Sequence, residues 1–162
     1  MVELIVYEGI DGVGKTYMCK KLAKKNNWVY VKTPSRAMYK IKCKGEMELL
    51  ARYGTALLLN ANKIQKLLIS GKTVICDRYY GTYLVDCALL GVSSDRLFDI
   101  VLPKPTKVIH LVADWEVVIE RLKKKKILSE FEKKIISDKK AYEKVVKEFK
   151  KLGYEEQTNN GK

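Results

Sequence analysis

The sequence predicts an α/β domain in which helices cover both faces of a mostly parallel sheet, forming a three-layer sandwich. Short apolar runs alternate along the chain with longer amphipathic segments, as expected when each strand is followed by a helix that crosses back over the sheet. With 162 residues, 47% of them hydrophobic, the chain suffices for one core and is too short for two ordinary domains. We therefore expect a single domain spanning residues 1–162.

The predicted strands are short runs bounded by glycine, proline or polar residues. The first run, Glu3–Tyr7, is apolar at successive positions, as expected of a parallel strand that is buried on both faces. Three more runs share this character, and a short, more polar run near the end of the chain predicts a last strand. These four are Trp28–Lys32, Thr73–Asp77, Lys107–Val112 and Tyr154–Thr158.

The predicted helices follow the strands and are recognised by apolar stripes and by residues that begin or end a helix. The longest, Glu46–Ser70, carries apolar residues on several sides. Ser129 and Glu132 have the spacing of a capping box and predict the start of the last helical segment, with a break near Ser137. The other predicted helices are Gly14–Lys25, Tyr80–Leu90, Ser94–Val101 and Trp115–Lys125.

The net charge of +13 indicates an anionic partner or a lysine-rich solvated surface. Between Arg121 and Lys151 there are thirteen basic and five acidic residues. Aromatic residues in this segment lie on the apolar stripe of the predicted helix and are not interleaved with the lysines, so binding of nucleic acid is not favoured. Nucleotide phosphates are the better candidate for the anion.

Cysteine and histidine content does not predict a metal cluster. The four cysteines have no C-x-x-C spacing, and His110 is the single histidine. We expect reduced, mostly buried thiols, and a hydrogen-bonded core histidine in the apolar run KVIHLV. No run is long enough to cross a bilayer and no signal peptide opens the chain, so we expect a cytoplasmic protein without a membrane partner.

A phosphate-binding pattern follows the first strand. EGIDGVGKT contains G-x-x-x-x-G-K-T, whose glycines let backbone N–H groups converge on phosphate oxygens at the start of a helix. Lys15 supplies a charge for the β- and γ-phosphates, and the Thr16 hydroxyl suits Mg²⁺. A plain glycine-rich turn is the alternative interpretation. The candidate ATP ligands in this loop are Gly9, Ile10, Asp11, Gly12, Val13, Gly14, Lys15 and Thr16.

A second motif, Asp77-Arg78-Tyr79, ends the third predicted strand. Ligands of parallel sheets bind beyond the carboxyl ends of the strands, so these side chains are expected beside the phosphate loop. Asp77 is a candidate for holding Mg²⁺ or handling a proton, and Arg78 for gripping a second phosphate group. The absence of an N-K-x-D run argues against a GTPase and favours phosphoryl transfer to a small acceptor.

The order of these motifs resembles the thymidylate kinase family. EGIDGVGKT is followed by an x-P-x-R element, LLLNANK, DRY and a D-x5-E-R element, which together span nearly the whole chain. The resemblance implies a five-stranded parallel sheet of order 2-3-1-4-5, a short basic lid around residues 123–130, and usually a homodimer. It also implies Mg²⁺-dependent phosphoryl transfer from ATP to a nucleoside monophosphate, dTMP in this family.

The resemblance assigns roles to individual residues. Asp11 would contact the sugar of the acceptor, and Arg121 and Lys125 belong to the lid over ATP. The implied catalytic residues are Lys15, Asp77, Arg78 and Arg121, and the implied metal ligands are Thr16 and Asp77. The implied acceptor ligands are Asp11, Lys32, Arg36, Leu59, Lys63 and Arg78.

Two positions depart from the family pattern. Leu59 and Lys63 stand where the family carries an aromatic that stacks on thymine and an arginine that reads the base, and core filler or solvated lysine is their alternative interpretation. A deoxynucleoside kinase remains an alternative function, although it needs no cationic clamp for an acceptor phosphate. A catalytically degenerate nucleotide-binding protein is a further alternative.

Overall fold

Five parallel strands form one sheet at the centre of the molecule. The computed structural model describes residues 1–35, 37–94, 98 and 101–161. The strands pair in the order β2-β3-β1-β4-β5, and every neighbouring pair is parallel. This confirms the predicted class and strand order. The strands are β1 Leu4–Glu8, β2 Val29–Lys32, β3 Val74–Asp77, β4 Lys107–Val112 and β5 Glu155–Thr158.

Six α-helices and one 3₁₀ turn are defined within the described residues. The predicted break near Ser137 is confirmed, because Asp138 ends one helix and caps the next by accepting a hydrogen bond from the Lys140 N–H. The capping box of Ser129 and Glu132 is also confirmed. The helices are α1 Lys15–Asn26, α2 Glu46–Ile69, α3 Tyr80–Leu90, α4 Trp115–Lys123, α5 Glu130–Ser137 and α6 Lys139–Lys151, with the 3₁₀ turn at Met38–Lys40.

Two predicted helices differ from the structure. The helix predicted to reach Lys125 ends at Lys123. The short helix predicted over Ser94–Val101 falls largely on residues outside the described part of the chain, although Phe98 and Val101 are helical.

The core lies in two layers, one on each face of the sheet. Every residue of β1 is buried, as expected for a central parallel strand. Ile5 and Tyr7 pack into one apolar cluster, and Leu4 and Val6 into the other. Because successive side chains of a strand point to opposite faces, this alternation places a helix layer on each side.

His110 is buried in this core, as the sequence predicts, but its polar atoms are not satisfied. The ring is 1% exposed and stacks on Phe149 with centroids 5.1 Å apart. Neither ring nitrogen has a hydrogen-bond partner among the described residues, so the expectation of a hydrogen-bonded histidine is wrong. Burial lowers the pKa of His110 to about 4, and this keeps the ring neutral at physiological pH.

The cysteines are mostly buried, as predicted. Cys19, Cys76 and Cys87 lie in the protein interior, and Cys43 is half-buried in a loop. Within the described ranges, no helix is both long enough and apolar enough to cross a membrane.

The sheet brings the predicted site residues to one edge. Asp77 at the end of β3 pairs in register with Tyr7 of β1 on one side and with Lys32 of β2 on the other. The loop after β1 begins at Gly9, beside these two strand ends. Residues far apart in the sequence are therefore neighbours at the carboxyl edge of three adjacent strands.

Candidate active site

The phosphate-binding loop connects β1 to α1 through backbone conformations that side chains disfavour. Gly9 has a φ of 132° and Gly14 a φ of 95°. A Cβ on Gly9 would overlap the carbonyl oxygen of Leu111, and one on Gly14 would come within 2.5 Å of the Asn159 amide nitrogen. Gly14 then caps α1, so the loop opens directly onto the N-terminus of the helix.

Lys15 folds back over this loop. Its ammonium group donates hydrogen bonds of 2.7 Å to the carbonyl oxygens of Gly9 and Ile10. The side chain is buried, and burial lowers the Lys15 pKa to about 7, with the Arg78 cation acting in the same direction. Nearby carboxylates oppose this shift. The loop thus holds the cation in place where phosphate oxygens are expected.

The two predicted metal ligands are in direct contact. The Thr16 hydroxyl donates to Asp77 Oδ2 at 2.5 Å, and the Tyr30 hydroxyl donates to the same oxygen at 3.0 Å. Lys32 Nζ lies 3.8 Å from this oxygen. A buried carboxylate beside a threonine hydroxyl is a ligand set that suits Mg²⁺, so the residues present fit this metal.

Tyr30 is a site residue that sequence reasoning missed. It lies two residues before Lys32 in β2, so both side chains project from the same face of the sheet. The alternation of the strand was a signal that could have placed Tyr30 beside Asp77.

Asp11 and Arg78 form an ion pair at the centre of the site. Arg78 Nη2 lies 2.6 Å from Asp11 Oδ1, and Arg78 adopts a left-handed backbone with φ 69°. Burial alone would raise the pKa of Asp11, but Arg78 and Lys15 outweigh it and hold the pKa well below its usual range. The carboxylate inside the phosphate loop is therefore ionised and balanced by the arginine of the second motif.

A buried carboxylate stands behind Arg78. Glu8, the last residue of β1, is fully buried and accepts hydrogen bonds from the Tyr79 N–H at 2.9 Å and the Thr82 hydroxyl at 2.6 Å. Arg78 Nη1 donates to the same Thr82 hydroxyl at 3.2 Å. Burial raises the pKa of Glu8, and the bonds from Thr82 and the charge of Arg78 oppose that shift. Sequence reasoning did not identify Glu8 or Thr82.

Asp86 is another missed carboxylate near Arg78. It lies one helical turn after Thr82 in α3 and is half-buried. Burial raises its pKa to about 6, opposed by Arg78 and reinforced by Glu8 and Asp11. The site therefore contains three carboxylates around one arginine, with different proton affinities.

A cavity of about 450 Å³ opens between α1, the end of β2 and α2. Asn60 connects α2 to the end of β2 by donating hydrogen bonds to the Lys32 carbonyl at 3.1 Å and the Thr33 hydroxyl at 2.8 Å. Three cations contribute to its wall. The lining residues are Thr16, Lys20, Tyr30, Val31, Lys32, Ser35, Asn60 and Lys63.

The predicted acceptor ligands fall into four groups by their place in the structure. Lys32 and Lys63 line the cavity, while Asp11 and Arg78 lie at the phosphate loop beside it. Leu59 is 61% exposed on α2 and is not among the described lining residues, so its contact with a base stays a prediction. Arg36 lies outside the described residues.

Arg121, which the sequence predicts to belong to the lid, contacts the loop between β1 and α1. Arg121 of α4 donates through Nη1 to the carbonyl oxygens of Gly12 and Val13, at 3.4 and 3.2 Å, and through Nη2 to that of Gly161. Asn159 also donates to the Val13 carbonyl, at 2.7 Å. Residues after β5 therefore close one side of the loop, which sequence reasoning did not anticipate.

The lysine-rich turn after α4 is exposed and partly paired. Lys125 forms an ion pair with the buried Glu132, which also accepts the capping-box bond from Ser129. Lys124 pairs with Glu120 at 2.7 Å. The charge of Lys125 also contributes to lowering the pKa of Asp11, while its direct contact is with Glu132.

Comparisons with known proteins agree with this geometry. The thymidylate kinase family model matches residues 7–160. A probable thymidylate kinase from Methanocaldococcus jannaschii is 34% identical over 140 residues, which cover 80% of this chain and 73% of the relative. A solved thymidylate kinase of broad substrate specificity from Candida albicans has a TM-score of 0.72 at 19% identity, covering 99% of this chain and 85% of that chain. A deoxyadenosine kinase from M. mycoides with bound dATP has a TM-score of 0.66 at 19% identity, covering 96% of this chain and 89% of that chain.

These comparisons carry different weight. At 19% identity, the solved structures establish the fold that the two kinase classes share. The family match spans nearly the whole chain, and the archaeal relative shares a third of the aligned residues. The chain belongs to the thymidylate kinase family, whose members are ATP-dependent nucleoside monophosphate kinases.

Proposed function

We propose that the protein catalyses Mg²⁺-dependent transfer of the γ-phosphoryl group of ATP to a nucleoside monophosphate, with dTMP as the preferred acceptor. One observation carries the proposal. The phosphate loop with Lys15 and the Thr16–Asp77 pair lies beside the Asp11–Arg78 pair at a single edge of the sheet. Donor and acceptor ligands are thereby adjacent, as an in-line transfer requires.

On the donor side, the loop N–H groups and Lys15 bind the phosphates of ATP. Lys15 exchanges its bonds to the Gly9 and Ile10 carbonyls for phosphate oxygens, which are stronger partners because they are charged. Arg121 already donates a hydrogen bond to the Val13 carbonyl of the loop, so it lies close enough to contact the bound ATP. Mg²⁺, when bound at Thr16 and Asp77, neutralises charge on the phosphate oxygens.

On the acceptor side, Arg78 is the principal phosphate ligand. Its planar guanidinium is held at Asp11 and Thr82 and presents donors in a fixed fork. Lys32 adds a second cation, and Arg36 completes the clamp in the family pattern. These charges offset the repulsion between two anionic substrates, which otherwise opposes their approach. Asp11 remains available to accept a hydrogen bond from the acceptor sugar.

The lid excludes water from the transferred group. In this proposal the exposed turn from Lys123 to Ser129 closes over both nucleotides, and its lysines add positive charge in the closed state. The ion pair of Lys125 with Glu132 anchors the turn to α5.

A deoxynucleoside kinase is the competing function. It shares the fold, as the M. mycoides enzyme illustrates. Its acceptor has no phosphate, so a cationic cluster of Lys32 and Arg78 at the acceptor side would be unnecessary. This cluster favours a monophosphate acceptor. The base is set by the residues around Leu59 and Lys63, where the chain departs from the family.

The protein is proposed to form a homodimer through α2. Met47, Leu58 and Ile69 are 58%, 44% and 76% exposed and follow one another at eleven-residue intervals. Eleven residues make about three helical turns, so these side chains share one face. Light scattering of the intact protein should give twice the mass of one chain. The Leu58→Asp variant should have the mass of a monomer. A wild-type protein with the mass of one chain would contradict the proposed dimer.

The function is tested by a panel of acceptors with ATP and Mg²⁺. The panel contains dTMP, dUMP, UMP, CMP, AMP, GMP and the matching nucleosides. We expect turnover with monophosphates and the highest kcat/KM with dTMP. Activity on nucleosides alone would refute the monophosphate assignment, and ATP binding without turnover on any acceptor would support the degenerate alternative.

A further inference from the structure

Both oxygens of the Glu8 carboxylate are committed to groups that surround Arg78. Oε1 accepts the Tyr79 N–H at 2.9 Å, and Oε2 accepts the Thr82 hydroxyl at 2.6 Å. Glu8 itself does not reach the substrate side, because it is fully buried at the end of β1. A buried carboxylate is retained at a site only where its partners compensate its desolvation.

The direction of these bonds follows from the number of protons. A guanidinium has donors and no acceptor, so the 3.2 Å contact of Arg78 Nη1 with Thr82 Oγ1 uses a lone pair of the hydroxyl. The hydroxyl has one proton, and the short bond to Glu8 Oε2 takes it. Glu8 therefore orients the Thr82 hydroxyl so that its lone pairs face Arg78.

We propose that Glu8, acting through Thr82, is a positioning residue for Arg78 in the binding of the acceptor phosphate. The chain of contacts runs from Glu8 to Thr82, from Thr82 to Arg78 Nη1, and from Arg78 Nη2 to Asp11. Its two ends fix the plane of the guanidinium. This inference rests on the proposed function, because it assigns a purpose to the orientation of Arg78.

Glu8 also fixes the backbone from which Arg78 projects. Its bond to the Tyr79 N–H holds the residue after Arg78, and the Arg78 N–H donates to the Tyr7 carbonyl at 3.0 Å. Arg78 has a left-handed φ of 69°, which a non-glycine residue adopts only when its surroundings compensate the strain. One carboxylate thus orients the Arg78 backbone and side chain together.

A neutral amide cannot replace this carboxylate. In Glu8→Gln, one acceptor oxygen remains and the other position becomes an NH₂ donor. Either the Tyr79 N–H would face the NH₂ group, or the NH₂ would donate to Thr82 Oγ1 and the hydroxyl proton would lose its acceptor. Because this variant also disturbs the buried end of β1, substitutions at Thr82 give the cleaner test.

The test compares Thr82→Val with Thr82→Ser. Valine removes the hydroxyl and keeps the branched shape, whereas serine keeps the hydroxyl. We expect Thr82→Val to raise the KM for the acceptor about tenfold, the usual effect of losing a hydrogen bond to a charged group, with the KM for ATP unchanged. Thr82→Ser should restore the acceptor KM. The control is Thr55→Val, which removes an exposed hydroxyl of α2.

A double-mutant cycle separates positioning from stability. In an Arg78→Ala background, Thr82→Val should have no further effect on the acceptor KM, because the group it positions is gone. An equal effect in both backgrounds, or equal effects on the KM for ATP and for the acceptor, would overturn the proposal.

A readout independent of activity distinguishes this proposal from the proposed function. The chain has five arginines, so guanidinium NMR signals are few and Arg78 can be assigned by its loss in Arg78→Ala. The Nη signals of Arg78 should be separate in the wild type and in Thr82→Ser, and averaged by rotation in Thr82→Val and Glu8→Gln. Unchanged signals in both of the latter variants would refute the positioning role even if the enzyme is active. If the Arg78 Nη signals average in these variants but the wild-type protein phosphorylates no acceptor, only the proposed function would be refuted.

Discussion

Replacing Asp86 by asparagine should change how the stability of the protein depends on pH. In the folded protein, burial and the nearby carboxylates Glu8 and Asp11 raise the pKa of Asp86 from 3.8 to about 6, against the attraction of Arg78. At about 1.36 kcal/mol per pKa unit, this difference corresponds to a change of at most about 3 kcal/mol in the free energy of unfolding. Solvent screening reduces this figure, because the side chain is only half-buried.

The sign follows from proton binding. A carboxyl group whose pKa is higher in the folded state binds its proton more tightly there, so its stabilising contribution is complete below pH 3.8. That contribution disappears as the pH rises through about 6. Asp86→Asn has no such loss, so the free energy of unfolding of the variant relative to wild type should increase between pH 4 and pH 7.5.

Urea unfolding followed by the fluorescence of Trp28 and Trp115 measures this difference. The comparison with wild type removes the contributions of groups that both proteins share. Glu143→Gln, which replaces an exposed acid of α6, is the matched control and should show the pH dependence of the wild type. Parallel stability curves for wild type and Asp86→Asn would refute the reasoning, because they would mean that folding does not change the proton affinity of Asp86.

Three further predictions concern the site and the core. Arg78→Ala should raise the KM for the acceptor and lower kcat. Its affinity for ATP, measured by isothermal titration, should be nearly unchanged. A loss of ATP affinity would mean that Arg78 binds the donor nucleotide instead. Gly14→Ala should weaken ATP binding in the same assay, because a side chain is strained at a φ of 95° and the new Cβ would displace the Asn159 amide. Unchanged affinity would contradict this prediction. Burial lowers the pKa of His110 from 6.5 to about 4, so the folded protein loses stability as the pH drops from 6.5 through 4. In acid unfolding, His110→Leu should therefore become more stable relative to wild type over that interval. A stability difference that does not change with pH would contradict the lowered pKa.

The parts of the site that the sequence predicts are those that depend on contiguous residues. Gly9–Thr16 is predicted as a unit because the pattern of one continuous loop brings successive N–H groups together. Asp77 and Arg78 were predicted because a strand end in a parallel sheet has a known location relative to that loop. The strand order was expected from the family resemblance, and the structure confirms it.

The parts that were missed depend on contacts between distant segments. In the sequence Glu8 only separates an apolar run from the glycine-rich loop, and only the packing of α3 reveals that Thr82, 74 residues later, donates to it. His110 is similar, because an apolar strand pattern predicts burial but does not specify whether its ring nitrogens find partners. Pattern and spacing describe one element at a time, whereas these roles arise where two elements meet.

The protein is proposed to transfer a phosphoryl group from ATP to a nucleoside monophosphate and not to phosphorylate a nucleoside. The most direct measurement supplies γ-labelled ATP and Mg²⁺ with equal concentrations of dTMP and thymidine and separates the products. The cationic acceptor side formed by Arg78 and Lys32 predicts that the first labelled product is dTDP. Label that appears first in dTMP would show instead that the protein phosphorylates the nucleoside.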